Sequence, residues 1–141
     1  ALEIALVPGL VTASVDPDNT AGIAASIFRP QAMPDGYLAH VGPGLSLRRE
    51  TIRANGRQVA DLRGHLVGMS KRYAALRLPV EFVHGDADPI VGLDIHSRAA
   101  ARLVPGAGLT VLPGVGHMPH HADKAAIVAL IDRAARRAGL R

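Results

Sequence analysis

The spacing of apolar residues divides the chain into an irregular first part, a helical middle part and a β/α last part. Before residue 46, prolines and glycines leave room only for short apolar helices, at 2–7 and 21–28. From 46 to 76, apolar residues recur every three or four positions and predict a long amphipathic helix. Its stripe consists of Ile52, Val59, Leu62, Leu66, Met69, Tyr73 and Leu76. Glycines interrupt the stripe, so we expect a break inside this helix.

Short β-prone runs then alternate with helical segments. The pattern predicts strands at 78–83 and 109–112, a helix at 96–104 and a closing helix at 122–138. This order is typical of a parallel βαβα unit. The 23 residues from 85 to 107 are enough for a right-handed crossover between the two strands.

Two strands make a marginal sheet by themselves. Parallel strands are stable when they are buried on both faces of a larger sheet. We therefore expect an α/β fold in which a mostly helical lid segment, 1–76, precedes the edge of a larger core, 77–141. The other strands would come from polypeptide outside this chain.

Composition narrows the class of protein. A chain of 141 residues, 48 % of them hydrophobic, is long enough for one globular domain with a core. No stretch reaches the roughly 18 apolar residues of a membrane span, so no membrane span is expected. The absence of cysteine excludes a disulfide framework and is compatible with a reducing compartment, so a cytoplasmic location is expected.

The net charge of +4 does not by itself indicate a nucleic-acid partner. The basic residues are mixed with acidic ones rather than clustered with aromatic residues. The one basic run, 133–141, follows Asp132 on the closing helix, where a solvated face with an Asp132–Arg136 pair is the favoured interpretation. Contact with a nucleic acid or another anionic surface is the alternative.

An aspartate and a histidine each follow one of the predicted strands. Asp88 lies in the segment His84-Gly85-Asp86-Ala87-Asp88-Pro89-Ile90-Val91, and His117 lies in Pro113-Gly114-Val115-Gly116-His117-Met118-Pro119-His120-His121. Chemistry in open α/β sheets gathers at the carboxyl ends of the strands, where both loops begin. A histidine that acts as general base needs a carboxylate to hold its second ring nitrogen. We therefore predict Asp88 and His117 as catalytic acid and base.

Other interpretations of these loops stay open. Asp88 is alternatively an ordinary turn carboxylate that caps the helix that follows. Asp86 competes for the acid role, although Asp86 is better suited to bind backbone amides of the turn. A metal site formed by Asp86, His117, His120 and His121 is a further alternative, disfavoured because adjacent histidines point apart. No cofactor and no metal are expected.

The nucleophile of such a triad is not visible. None of the serines stands in a G-x-S-x-G turn, and there is no cysteine. These serines are Ser14, Ser26, Ser46, Ser70 and Ser97.

The two loops together resemble the acid loop and the histidine loop of the α/β-hydrolase fold family. The resemblance covers about residues 50 to 141, and residues 1 to 50 resemble the helical lid of such enzymes. It implies that Asp88 is the acid, His117 the base, and an upstream serine the nucleophile that attacks an ester of a hydrophobic substrate. An upstream aspartate nucleophile would instead imply a dehalogenase or epoxide hydrolase. The family's first strands, nucleophile elbow and oxyanion-hole loop have no counterpart here.

A hypothesis of another class is that the chain is a catalytically silent fragment that binds a partner or a small apolar ligand. Without a nucleophile, the chain alone is expected to be inactive. Its expected partners are a small hydrophobic substrate and the missing N-terminal half of the same fold.

Overall fold

The computed structural model describes the backbone of residues 17–140 and the side chains of residues 20–140. The predicted helix at 2–7 lies outside the described residues. The described chain contains both helices and strands, joined by two 3-10 turns at Pro43–Leu45 and Tyr73–Ala75. The helices are α1 Pro17–Phe28, α2 Tyr37–Val41, α3 Arg49–Ser70, α4 Ser97–Leu103, α5 Pro119–Ala122 and α6 Lys124–Arg137, and the strands are β1 Glu81–Gly85 and β2 Gly108–Leu112.

Two compact units make up the described chain. The first contains residues 17–24 and 34–70, and the second contains residues 25–33 and 71–140. The short segment 25–33 therefore groups with the C-terminal part of the chain, although it lies within the predicted lid at 1–76. The division into a lid and a core stays a prediction.

Helix α3 belongs to the first unit and runs without a break from Arg49 to Ser70. Within the region predicted to be helical, 46–76, a break lies after Ser70, and a 3-10 turn follows at Tyr73–Ala75. The glycines inside α3 do not break it, because glycine lowers helix stability by only about 1 kcal/mol and leaves the backbone hydrogen bonds intact. Five residues of the predicted apolar stripe lie on this helix, while Tyr73 and Leu76 lie beyond its end. Ile52 is half-buried, but the other four are exposed, with Val59 64 % exposed and Leu62 49 %.

The second unit contains the sheet, which among the described residues has two strands. β1 pairs with β2 in parallel, with Glu81 opposite Gly108 and Gly85 opposite Leu112. The mixed α/β character is thus confirmed. β1 begins three residues later than predicted and ends two residues later, since Pro79 lacks the N–H that a ladder position requires.

The core of the second unit is small. Among the described residues, the buried apolar side chains are Phe28, Val104, Leu112 and Leu130. Helix α6 contributes Leu130 and begins as its sequence suggests, with the Asp123 carboxylate accepting a hydrogen bond from the Ala126 amide at 2.9 Å. Within residues 17–140, no helix has the length and apolar character needed to cross a membrane.

Candidate functional site

Asp88 and His117 lie side by side just beyond the carboxyl ends of β1 and β2. His117 Nδ1 is 2.9 Å from Asp88 Oδ2, which is hydrogen-bond distance. The two residues are 29 positions apart in sequence, and the parallel pairing of β1 with β2 brings their loops together. The structure therefore places the two predicted site residues in direct contact.

The Asp88 carboxylate is held rigidly. Its Oδ1 accepts hydrogen bonds from the backbone amides of Ile90 at 2.8 Å and Val91 at 2.9 Å. Pro89 has no amide hydrogen, so the turn presents the next two amides to the same oxygen. The side chain is only 6 % exposed. Asp88 does not cap a helix, since the next helix begins only at Ser97 and has His96 as its N-cap.

These contacts favour the ionised form of Asp88. Burial by itself raises the pKa of this carboxyl, but the hydrogen bonds from Val91, His117 and Ile90 and the charge of His117 outweigh it, so that the pKa lies below its usual range. Asp88 is therefore a carboxylate at neutral pH, able only to accept hydrogen bonds.

The ionised carboxylate selects one tautomer of His117. Because Asp88 Oδ2 only accepts, Nδ1 of His117 carries the proton and donates it. In the neutral ring, Nε2 then has a free lone pair, which a general base requires. The His117 side chain is 31 % exposed, so that the ring is accessible from outside.

The acid loop and the histidine loop are also tied to each other through backbone groups. Asp86 Oδ1 accepts a hydrogen bond from the Gly114 amide at 2.6 Å, and the Ala87 amide donates to the Val115 carbonyl at 3.0 Å. Asp86 therefore binds a backbone amide, as its position in the sequence suggested. These ties fix the separation between the two loops.

Behind Asp88 lies a buried histidine, His84, whose side chain is 7 % exposed. Its Nε2 is 2.9 Å from the Val91 carbonyl and 3.5 Å from Asp88 Oδ2, and its Nδ1 is 2.7 Å from Ser97 Oγ. A carbonyl only accepts, so Nε2 donates, and in the neutral ring the Ser97 hydroxyl donates to Nδ1. His84 thus holds the carbonyl of Val91, the residue whose amide donates to Asp88.

A cavity of about 210 Å³ opens between these groups. Its lining consists of Val83, His84, Gly85, Asp88, Val91, Ser97, His117 and Pro119. The acid and the base therefore border a concave, partly apolar space.

The neighbouring histidines do not join this pair. His121 packs edge-on against Phe28, with ring centroids 5.2 Å apart, and His120 packs against His121 at 4.5 Å. Burial, together with the positive charges of His120 and Lys124, lowers the pKa of His121. Among residues 17–140, no three His, Asp or Glu side chains are grouped so that they could hold a metal ion.

Sequence reasoning did not identify Gln31 as part of the site. Its side-chain amide bonds to backbone atoms of Gly114 and Gly116, next to His117. Gln31 lies in an irregular segment assigned to the lid and is 85 positions from Gly116, so no local pattern indicated the contact.

Comparison with known proteins identifies distant relatives without a stated function. No family model matches the chain. Over 78 residues, or 55 % of the chain, it is 33 % identical to the uncharacterized proteins Rv2715 of Mycobacterium tuberculosis and Mb2734 of Mycobacterium bovis. The matched segment is 23 % of the length of each of these relatives.

Proposed function

We propose that this chain supplies the general base and its orienting acid to an α/β-hydrolase-fold enzyme that hydrolyses esters of hydrophobic substrates. The observation that carries the proposal is the 2.9 Å contact between His117 Nδ1 and an Asp88 carboxylate held by two backbone amides. This is the arrangement that a histidine base requires for its tautomer and its transient positive charge.

In the proposed reaction, the nucleophile is a serine from polypeptide upstream of this chain. His117 Nε2 takes the hydroxyl proton as the serine oxygen attacks the ester carbonyl carbon. The resulting imidazolium passes that proton to the departing alkoxide when the carbon–oxygen bond breaks. Water then attacks the acyl-enzyme with the same base, and the serine leaves with the proton, releasing the carboxylic acid.

Asp88 stays ionised throughout this sequence. Its role is to hold His117 in the Nδ1–H tautomer and to stabilise the imidazolium that forms in each half of the reaction. The lowered pKa of Asp88 supports this role, because a carboxylate that resists protonation keeps its negative charge beside the cationic ring.

A hydrophobic substrate is supported by the apolar character of the first unit. Leu62, Leu66 and Val67 on α3 are each 45–53 % exposed in the described chain. Such a surface is typical of a lid, and α3 lies within the lid segment predicted at 1–76. The cavity beside His117 is itself partly lined by Val83, Val91 and Pro119.

The test uses a polypeptide that joins the upstream coding sequence to these 141 residues. With p-nitrophenyl butyrate as substrate, we expect His117→Gln and Asp88→Asn each to lower kcat by at least about 10³-fold. The exposed residues His96 and Asp35 offer matched controls, and His96→Gln and Asp35→Asn should change kcat by less than about twofold.

The outcomes separate the hypotheses. Ester hydrolysis that survives His117→Gln would contradict the proposal. Turnover of a haloalkane or an epoxide in place of the ester, with the same dependence on both residues, would assign an aspartate nucleophile. The chain of residues 1–141 alone is expected to show no turnover above the His117→Gln background.

A further inference from the structure

We infer that Gln31 is a positioning residue that holds the histidine loop so that His117 stays hydrogen-bonded to Asp88. The inference rests on the proposed function for its catalytic meaning. Its structural basis is a pair of hydrogen bonds to the backbone that leads into His117. Gln31 Nε2 donates to the Gly114 carbonyl at 2.8 Å, and the Gly116 amide donates to Gln31 Oε1 at 2.9 Å.

The contact uses both ends of a side-chain amide. Gly114 offers an acceptor and Gly116 a donor, so the partner must supply one donor and one acceptor in a fixed geometry. A carboxylate of the same shape offers only acceptors, and an apolar side chain offers neither. Glutamine therefore fits this position in a way that no isosteric residue does.

The segment that carries Gln31 is seated directly on the histidine loop. Gly116 is buried, and a Cβ at this position would collide with the carbonyl oxygen of Arg29. Such a close approach of two backbones leaves little freedom for residues 29–31 relative to Gly116. Gln31 is thus held in place by the same packing that its hydrogen bonds reinforce.

The histidine loop is tied on one side by the acid loop and on the other side by Gln31. The acid loop holds the Gly114 amide and the Val115 carbonyl, through Asp86 and Ala87. Gln31 holds the two backbone groups that these residues do not take, the Gly114 carbonyl and the Gly116 amide. Loss of Gln31 would free the two peptide groups on either side of Val115, just ahead of His117, while the strands stay paired.

The hydrogen bond from His117 Nδ1 to Asp88 provides a direct readout. In the ¹⁵N-labelled 141-residue chain, the exchange of the His117 Nδ1 proton with water near neutral pH reports how often this bond opens. We expect Gln31→Met to accelerate this exchange about tenfold or more. The variant loses both hydrogen bonds to the histidine loop, and this loss should shift the equilibrium between the closed and the open His117–Asp88 contact by about that factor.

Two further variants make the result specific. Gln31→Glu keeps an acceptor for the Gly116 amide and loses the donor, so its exchange rate should fall between those of Gln31→Met and the parent chain. Gln58→Met is the matched control, since Gln58 is exposed on α3, and it should leave the rate unchanged. Backbone amides of β1 and β2 should exchange at parental rates in all of these variants.

The inference is overturned if Gln31→Met changes the exchange of the His117 proton by less than about twofold, well below the tenfold effect expected when both hydrogen bonds are lost. Equal acceleration across the β1 and β2 amides, or loss of folding in Gln31→Met, would also overturn it, since Gln31 would then be a general structural residue.

In the completed enzyme, Gln31→Met should lower kcat with little change in KM. If the completed enzyme hydrolyses no ester, the proposed function fails, while the exchange measurement still decides whether Gln31 holds His117.

Discussion

Glycines at different positions of this chain have different structural roles. At Gly85, the last residue of β1, a Cβ would overlap the carbonyl oxygen of Val115 and come within 2.6 Å of the Gly116 carbonyl oxygen. At Gly56, in the middle of α3, a Cβ would meet nothing within 4 Å. The first glycine lets two backbones approach at the site, and the second only weakens a helix.

This difference gives a paired prediction for alanine substitution. Gly85→Ala should lower the free energy of unfolding by about 1–3 kcal/mol, because the clash is with backbone and the two loops must separate. Gly56→Ala should leave the free energy of unfolding unchanged or raise it by up to about 1 kcal/mol, since alanine is the better helix former. Urea denaturation of the two variants and the parent chain measures both effects. Equal changes in the two variants would contradict this account of Gly85.

At the scale of single elements, an ion pair connects α6 to the start of β1. The Glu81 side chain is 5 % exposed, and it accepts hydrogen bonds from Arg133 at 2.6 Å and Arg137 at 2.7 Å. The bond from Arg133, assisted by Arg137 and the charges of both guanidinium groups, outweighs the effect of burial and lowers the pKa of Glu81. The helix is thereby docked at the end of the sheet opposite the candidate site.

Replacement of this carboxylate tests the contribution of the ion pair. We expect Glu81→Gln to lower the free energy of unfolding by about 1 kcal/mol at neutral pH, since exposed arginines limit the gain from each pair. Because the pKa of Glu81 is lowered by folding, its contribution is complete above the unfolded-state pKa of about 4.3 and is lost as the pH falls below it. Urea denaturation between neutral and acidic pH should show the difference between parent and variant shrinking as Glu81 is protonated. A difference that grows on acidification would contradict the assignment.

Elements were predicted more accurately than their limits and contacts. Apolar periodicity located α3, but the helix ends at Ser70 rather than near Leu76, and the expected break lies after it rather than at its three glycines. The strand predicted at 78–83 is displaced to Glu81–Gly85, since pairing with Gly108–Leu112 decides which residues enter the ladder. The register of a sheet depends on both paired strands, so it cannot be predicted from the sequence of one strand alone.

At the scale of the whole molecule, the described chain buries few apolar side chains. Phe28, Val104, Leu112 and Leu130 are the buried apolar residues among those described, and all four belong to the second unit. Val59, Leu62, Leu66 and Met69 of the stripe on α3, in the first unit, are exposed. The described residues therefore contribute little hydrophobic free energy to offset the loss of conformational entropy on folding.

Calorimetry of the 141-residue chain tests this inference. We expect a broad transition with an unfolding enthalpy well below the roughly 0.7 kcal/mol per residue of ordinary globular proteins. The longer polypeptide that includes the upstream sequence should unfold more sharply and at higher temperature, if it adds strands to β1 and β2 as proposed. A sharp transition of the shorter chain with the full enthalpy would show that its core is complete.

The amino-acid sequence by itself determined the alternation of helices and strands, and with it the positions of Asp88 and His117 after β1 and β2. Periodicity and turn residues are local signals, so they are readable from neighbouring positions. Only the tertiary structure decided that Gln31 holds the histidine loop, that His84 and Ser97 support the acid loop, and that Glu81 binds α6. These partners are separated by 13 to 85 positions, and packing of backbones rather than any local pattern brings them together.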